Sequence, residues 1–137
     1  MHVVREYGTS HEPEALVKVL GDPKFVLPRL FPPVKEVETR GTSFQAKGRF
    51  LGSSFSMSGE VYVSVDAVTY PFVLLAGSGK GDGRLTARFS PGSLVLAFDY
   101  DGWMNRLSGT FFMGRWFSNF GKGLEEEVRL ERVRRKV

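Results

Sequence analysis

The sequence contains no cysteine among its 137 residues, which excludes a disulfide framework, a thiolate metal site and a cysteine nucleophile. Histidine is scarce too: only His2 and His11 could offer an imidazole, so we expect no multi-histidine metal centre and no cofactor. No apolar run approaches the roughly 18 residues of a membrane span, and the first residues, "MHVVREYG", lack the long apolar stretch of a signal peptide. These absences lead us to expect a cytoplasmic protein.

Positive charge is concentrated at the end of the chain. The net charge is +4, and residues 128–137 carry five basic side chains against one acidic side chain, so the remainder is neutral. One interpretation is that these cations stabilise a helix end through its dipole and through pairs such as Glu125–Arg129 and Glu131–Arg135. The other is attraction to an acidic membrane surface. We expect no nucleic acid, because basic and aromatic residues are not interleaved on one face. The five cations are Arg129, Arg132, Arg134, Arg135 and Lys136.

The first third of the chain predicts one strand and two short helices. Residues 2–8 are typical of a strand, and Thr9-Ser10 is expected to cap the helix that follows in "HEPEALVKVL". Gly21 ends that helix. Asp22-Pro23 is expected to start a second helix, which the prolines from Pro28 onward keep short.

From residue 34 onward, apolar residues recur with a period of two, which predicts six antiparallel strands with one dry face. In residues 53–65, Phe55, Met57, Gly59, Val61, Val63 and Val65 share that face. The stretch "GSGKGDGR" (77–84) lacks the Gly-Lys-Ser/Thr ending of a phosphate loop. We interpret it as a hairpin turn centred on Gly81-Asp82-Gly83.

A long amphipathic helix is predicted from about residue 109 to 133. Met113, Phe117, Phe120, Leu124 and Val128 repeat at intervals of three and four residues. The glycines of this segment each cost about 1 kcal/mol against alanine. Either close packing on the sheet or room for a guest molecule would explain them. They are Gly114, Gly121 and Gly123.

This order of elements resembles the helix-grip fold of the START-like superfamily. Three stretches look like the carbon monoxide dehydrogenase G family: "DPKFVLPRLFPPVKEVE" (22–38), "AGSGKGDGRLTARF" (76–89) and "LVLAFDYDGWMNRLSGTFFMGR" (94–115). The chain is also similar to small archaeal START-like proteins. The resemblance implies a single α+β domain over residues 1–137. In it, a curved antiparallel sheet of about seven strands wraps around the C-terminal helix, and two short helices follow the first strand.

The resemblance also implies a hydrophobic small molecule or lipid, held between the sheet and the C-terminal helix. The residues expected to line that cavity are apolar and aromatic: Phe55, Met57, Phe72, Leu74, Phe89, Leu96, Phe98, Met113, Phe117 and Phe120. A lid is expected on the second short helix, from Phe25, Leu27, Leu30 and Phe31.

Two other functions remain open from the sequence. The resemblance to the carbon monoxide dehydrogenase G family suggests an adaptor that binds or matures a partner protein. A cyclase-type enzyme would need an ionisable group in the cavity, and the strands offer Asp99, Glu60, Tyr62 and Tyr70. We expect Glu60, Tyr62 and Asp99 to face solvent and His11 to lie at the surface, and no nucleophile-base pair is recognisable.

Overall fold

The computed structural model describes residues 1–103 and 109–137, which contain eight strands and three helices. Their bounds are β1 (His2–Gly8), α1 (Pro13–Leu20), α2 (Pro23–Leu30), β2 (Val34–Arg40), β3 (Ser43–Phe50), β4 (Ser53–Glu60), β5 (Tyr62–Val63), β6 (Ala67–Ala76), β7 (Gly79–Ser90), β8 (Ser93–Gly102) and α3 (Gly109–Arg135). In the part of the chain with described structure, no helix has the length and hydrophobicity needed to cross a membrane.

All eight strands belong to one antiparallel sheet. Its order is β1-β8-β7-β6-β4-β3-β2, and the short β5 pairs with β6. Tight turns join neighbouring strands: Leu51-Gly52 adopts positive φ at both positions between β3 and β4, and Pro91-Gly92 joins β7 to β8. The curved sheet with its long C-terminal helix confirms the predicted helix-grip α+β fold.

The extra strand arises because the predicted strand over residues 53–65 is interrupted. β4 ends at Glu60, and the backbone N–H of Val61 donates to the carbonyl of Thr42 at 2.8 Å, outside the strand ladder. Val61 is still buried, but Val63 and Val65 are 56% and 84% exposed. The prediction that these last two share the dry face was therefore wrong.

The helix starts agree with the sequence in one case and differ in the other. Asp22 caps α2 by accepting a hydrogen bond from the backbone N–H of Lys24 at 2.9 Å, as predicted. The N-cap of α1 is Glu12 and not Thr9-Ser10, because Thr9 and Ser10 instead donate hydrogen bonds to the carboxylate of Glu125. The prediction for this cap was wrong, and the two residues tie the β1–α1 connection to α3.

One continuous core joins the inner face of the sheet to the helices. β8 contributes alternate residues, from Leu94 to Tyr100, each at most 3% exposed. From α3, the five predicted stripe residues Met113, Phe117, Phe120, Leu124 and Val128 are all buried against it. This packing places α3 along the sheet and leaves the candidate site near its N-terminal half.

Candidate functional site

Three alternate positions of β7 form a glycine stripe on the inner face of the sheet: Gly79, Gly81 and Gly83. Aromatic side chains occupy the space that a Cβ would need. At Gly81 a Cβ would lie 2.1 Å from the hydroxyl oxygen of Tyr100. At Gly83 it would lie 2.2 Å from the backbone carbonyl oxygen of Asp99 and 2.8 Å from Cζ of Phe72. The indole of Trp103 covers Gly79 in the same way, with Cγ at 2.9 Å. The stripe thus makes room for three rings.

This arrangement corrects the predicted hairpin turn at Gly81-Asp82-Gly83. The turn is Gly77-Ser78, where Gly77 has φ +57, and pairing resumes between Ala76 and Gly79. Asp82 lies inside β7 and pairs with Val73. The Asp-Gly dipeptide does not turn here, because Gly83 continues the alternation of Gly79 and Gly81 on the inner face of the strand.

A small cavity of about 40 Å³ lies beside these rings, under the N-terminal half of α3. This volume corresponds to a few water molecules. The described residues that line it are all apolar: Phe31, Pro33, Val34, Phe50, Phe55, Met57, Phe72, Leu74, Phe98, Trp103, Met113 and Trp116. The α2–β2 connection, the β3–β4 hairpin, β6, β8 and α3 all contribute to the lining.

The structure brings together part of the set predicted to line a cavity. Six of those residues do so: Phe55, Met57, Phe72, Leu74, Phe98 and Met113. Phe89, Leu96 and Phe117 are buried in the core but are not among the lining residues. Phe120 borders a separate depression beside Phe25.

The predicted lid residues are divided in the same way. Phe31 lines the cavity, and its ring lies 5.6 Å from that of Phe98 between centroids. Phe25, Leu27 and Leu30 are at most 2% exposed within α2 and are not part of the lining. Three of the four predicted lid residues are therefore fully packed in the core.

Five lining residues were missed by the sequence analysis: Pro33, Val34, Phe50, Trp103 and Trp116. Most belong to connections or element ends, where no periodicity indicates which face a side chain takes. Tryptophan offered the one usable signal, because the chain has only two and both line this cavity.

Half-buried aromatic rings surround one side of the cavity. The Phe50 ring packs against Phe112 and Trp116 at centroid distances of 5.2 Å and 5.6 Å. Deeper in the cavity, Phe72 stacks on Phe98 at 5.7 Å, and Phe98 is only 1% exposed. The more accessible side therefore lies between the β3–β4 hairpin and α3.

Trp103, one of the two tryptophans among the lining residues, has a buried polar atom. Its indole Nε1 is buried and has no hydrogen-bond partner among the residues that the structure describes.

The ionisable candidates lie away from the cavity lining. Asp99 and Tyr62 are exposed, as predicted, and hydrogen bonds from Thr42 and Ser43 hold the pKa of Glu60 below its usual range. Within residues 1–103 and 109–137, no group of three or more histidine and carboxylate side chains is placed to hold a metal ion.

Tyr70, the remaining candidate for acid-base chemistry, is buried on the inner face. Its hydroxyl donates to the carbonyl of Leu20. Burial, with the nearby Asp22 carboxylate as a second cause, raises the pKa of Tyr70. Tyr70 and Asp99 lie on opposite faces of the sheet, so the structure does not combine them into one site.

His11 is not at the surface, contrary to the prediction. It is 9% exposed and lies between α1 and α3. An Arg132 guanidinium nitrogen lies 3.0 Å from its Nδ1 and can only donate, so Nδ1 accepts. Nε2 then donates to the Glu125 carbonyl at 3.1 Å. His11 thus fastens the α1 start to the C-terminal half of α3.

The basic tail forms ion pairs within the chain. Arg132 pairs with Glu12, and Arg135 with Glu131 and Asp22. Arg129 pairs with Glu126 and not with Glu125, so the predicted Glu125–Arg129 pair was wrong. The carboxylate of Glu125 instead accepts hydrogen bonds from the hydroxyls of Thr9 and Ser10. The membrane-surface interpretation and the cytoplasmic location stay predictions.

The chain is similar to known proteins in both sequence and structure. One family model matches residues 1–137, whereas no curated protein matches the sequence. A hypothetical protein from Sulfolobus tokodaii is 26% identical with a TM-score of 0.84, over 98% of this chain and 99% of that one.

Two more distant structures share the fold. The Zhui aromatase/cyclase from Streptomyces sp. R1128 is 16% identical with a TM-score of 0.69, over 97% of this chain and 95% of its own. The AHSA1 protein from Silicibacter pomeroyi is also 16% identical, with a TM-score of 0.65 and coverages of 96% and 99%. The narrower resemblance to the carbon monoxide dehydrogenase G family, with its adaptor role, stays a prediction.

Proposed function

Because the chain belongs to the START-like superfamily, we propose that it binds a small hydrophobic molecule, such as a lipid or fatty acid, in the cavity between the sheet and α3. The observation that carries this proposal is the lining itself. Seven of the twelve described lining residues are aromatic and none is ionisable. Binding would be driven by burial of apolar area, worth about 25 cal/mol per Å².

The present cavity must widen to accept such a ligand. Sites for drug-sized molecules measure roughly 300–1,000 Å³, against about 40 Å³ here. Half-buried rings such as Phe50 and Trp116 can move with less loss of packing than Phe98, which the core surrounds. Binding should therefore be accompanied by displacement of these outer rings.

Tryptophan fluorescence provides a direct test, because both tryptophans line the cavity. Purified protein would first be examined by native mass spectrometry, with extraction of anything bound. Delipidated protein would then be titrated with decanoate and oleate while its emission is followed. We expect a saturable change in emission together with a rise in melting temperature.

A matched pair of variants separates binding from stability. Leu74→Phe adds volume to the cavity lining, whereas Leu96→Phe adds it to the core outside that lining. Each larger side chain should destabilise the protein by about 1–3 kcal/mol through overpacking. Only Leu74→Phe should abolish the change in tryptophan emission on addition of fatty acid. Protein that arrives without lipid and gains neither fluorescence change nor thermal stability from either fatty acid would refute the proposed function.

A further inference from the structure

The turn between β3 and β4 presents an apolar side chain to solvent. Leu51 is 61% exposed, and its backbone has φ +51, in the left-handed region that glycine and asparagine favour. Gly52 also has positive φ, and Asn-Gly is the usual pair in such a two-residue turn. A leucine here gains little from packing and costs backbone strain, which points to a role outside the fold.

The same turn borders the more accessible side of the cavity. Phe50, the residue before Leu51, lines the cavity and packs against Trp116 of α3 at 5.6 Å between ring centroids. Both rings are half-buried. A ligand that passes between them therefore enters the cavity beside the exposed Leu51 side chain.

Cations without acidic partners flank this mouth of the cavity. Arg49 precedes Phe50, Arg115 precedes Trp116, and both arginines are exposed. Neither forms an ion pair with another described residue, and the Arg49 guanidinium donates to the Gly52 carbonyl at 3.3 Å. The two flanking segments, residues 41–59 and 109–124, together contain four basic and no acidic residues. The mouth is therefore a positively charged surface.

The basic tail is less available to an anionic surface than this mouth. Four of its five cations already pair with carboxylates of the chain: Arg129, Arg132, Arg134 and Arg135. An anionic headgroup would have to displace those carboxylates from the tail. At the mouth, Arg49 and Arg115 can meet a phosphate without losing such a partner.

We propose that the protein docks on an anionic lipid bilayer through a docking tip formed by Arg49, Phe50, Leu51, Arg115 and Trp116. Leu51 inserts at the interface, and the two arginines contact lipid phosphates. A bilayer fits this tip because it offers apolar depth and negative charge together. The inference rests on the proposed function and adds the source of the ligand, since a mouth that faces the bilayer receives a hydrophobic molecule without exposing it to water.

Vesicle flotation tests the docking. The protein would be mixed with vesicles of phosphatidylcholine alone or of phosphatidylcholine with phosphatidylglycerol, at low and high salt. We expect binding to the anionic vesicles that weakens with salt, and little binding to phosphatidylcholine alone. Arg49→Gln and Arg115→Gln should each weaken binding roughly 5-fold, the effect of one cation at an anionic surface. The control Arg129→Gln, which removes an ion-paired cation of the tail, should leave binding unchanged.

Leu51→Asn separates docking from folding. Asparagine tolerates positive φ and completes the preferred Asn-Gly pair, so this variant should melt at the wild-type temperature or above it. Its binding to anionic vesicles should nevertheless weaken roughly 10-fold or more, because the apolar insertion is lost.

A fluorescent label locates the contact. The chain contains no cysteine, so Leu51→Cys and Leu130→Cys each provide a single attachment site for nitrobenzoxadiazole. Leu130 is the control, since it is 51% exposed and lies in the tail. Anionic vesicles should shift the emission of the label at residue 51 to shorter wavelength, and should not shift that of the label at residue 130.

The outcomes distinguish this inference from the proposed function. The inference is overturned by absent binding to anionic vesicles, by undiminished binding of Leu51→Asn, by equal losses in Arg49→Gln and Arg129→Gln, or by an emission shift at residue 130 alone. If decanoate still binds in those cases, the proposed function stands. If the vesicles bind as expected but neither decanoate nor oleate changes the tryptophan emission or the melting temperature, the proposed function fails and delivery of a ligand fails with it.

Discussion

Two glycines of α3 lie two positions apart in opposite environments. A Cβ at Gly121 would lie 2.3 Å from Cε1 and 2.4 Å from Cδ1 of Tyr7, whereas at Gly123 the nearest neighbour would be Cγ of Glu127 at 3.8 Å. The Tyr7 ring is not free to move aside, because its hydroxyl donates to the carbonyl of Phe117 at 2.6 Å. Burial raises the pKa of Tyr7 from 10.0 to about 12, so this donor is retained even in mildly alkaline solution.

The same substitution should therefore act with opposite signs. Gly123→Ala gains about 1 kcal/mol of helix propensity, which for a domain of this length raises the melting temperature by about 3–4 °C. Gly121→Ala gains the same amount but overpacks against Tyr7 by about 1–3 kcal/mol. Its net effect is a destabilisation of up to about 2 kcal/mol, or a fall of up to about 7 °C.

Thermal unfolding followed by circular dichroism measures both changes, and a double-mutant cycle identifies the cause. In a Tyr7→Ala background the obstruction is gone, so adding Gly121→Ala should become stabilising by about 1 kcal/mol. Two results would contradict this reasoning: equal shifts of the melting temperature in Gly121→Ala and Gly123→Ala, or an effect of Gly121→Ala that Tyr7→Ala leaves unchanged. In either case contact with Tyr7 does not explain why residue 121 is glycine.

Three further predictions concern a carboxylate, a helix cap and access to the cavity. Hydrogen bonds from Arg134 and Arg135 lower the pKa of Glu131 from 4.5 to about 2, so its stabilisation is present above pH 4.5 and is lost as the pH falls toward 2. Urea unfolding should show wild type more stable than Glu131→Gln at pH 7 and not at pH 2; an equal difference at both would contradict this. Asp22→Ala should lose the cap, worth about 1 kcal/mol, together with the ion pair to Arg135 in urea unfolding. Asp22→Asn, which loses the charge but can still cap, should lose less; equal losses would count against the cap. Phe50→Ala should accelerate decanoate binding in stopped-flow fluorescence, and an unchanged rate would argue against access beside Phe50.

The order of elements could be predicted because each carries a strong local signal. Asp22-Pro23 starts α2 where expected, and the five-residue stripe on α3 is buried as its spacing indicated. The error at residues 77–84 shows how two local signals compete. Asp82-Gly83 is a good turn dipeptide, but glycine at alternate positions over 79–83 also has the period of a strand, and ring packing from neighbouring strands decided between them.

The candidate site was less predictable than the fold. Alternation along the strands identified Met57, Phe72 and Leu74, because a period of two fixes the face once the sheet is known. Phe50 and Trp103 lie at strand ends, where the chain leaves the ladder and the period no longer applies. Tertiary packing also gives Glu125 partners that local spacing could not indicate. Its carboxylate accepts hydrogen bonds from Thr9 and Ser10, more than 100 residues away in sequence.

The positions of the aromatic rings bear on how a ligand could reach the cavity. The predicted route was a lid on α2, yet Phe25, Leu27 and Leu30 are at most 2% exposed, so opening there would remove fully buried side chains from the core. Each such side chain is worth about 1.5–3 kcal/mol of burial. Phe50 and Trp116 are half-buried and pack on each other across the gap between the β3–β4 hairpin and α3. Separating these two rings sacrifices only part of their contact, so the hairpin side is the less costly route.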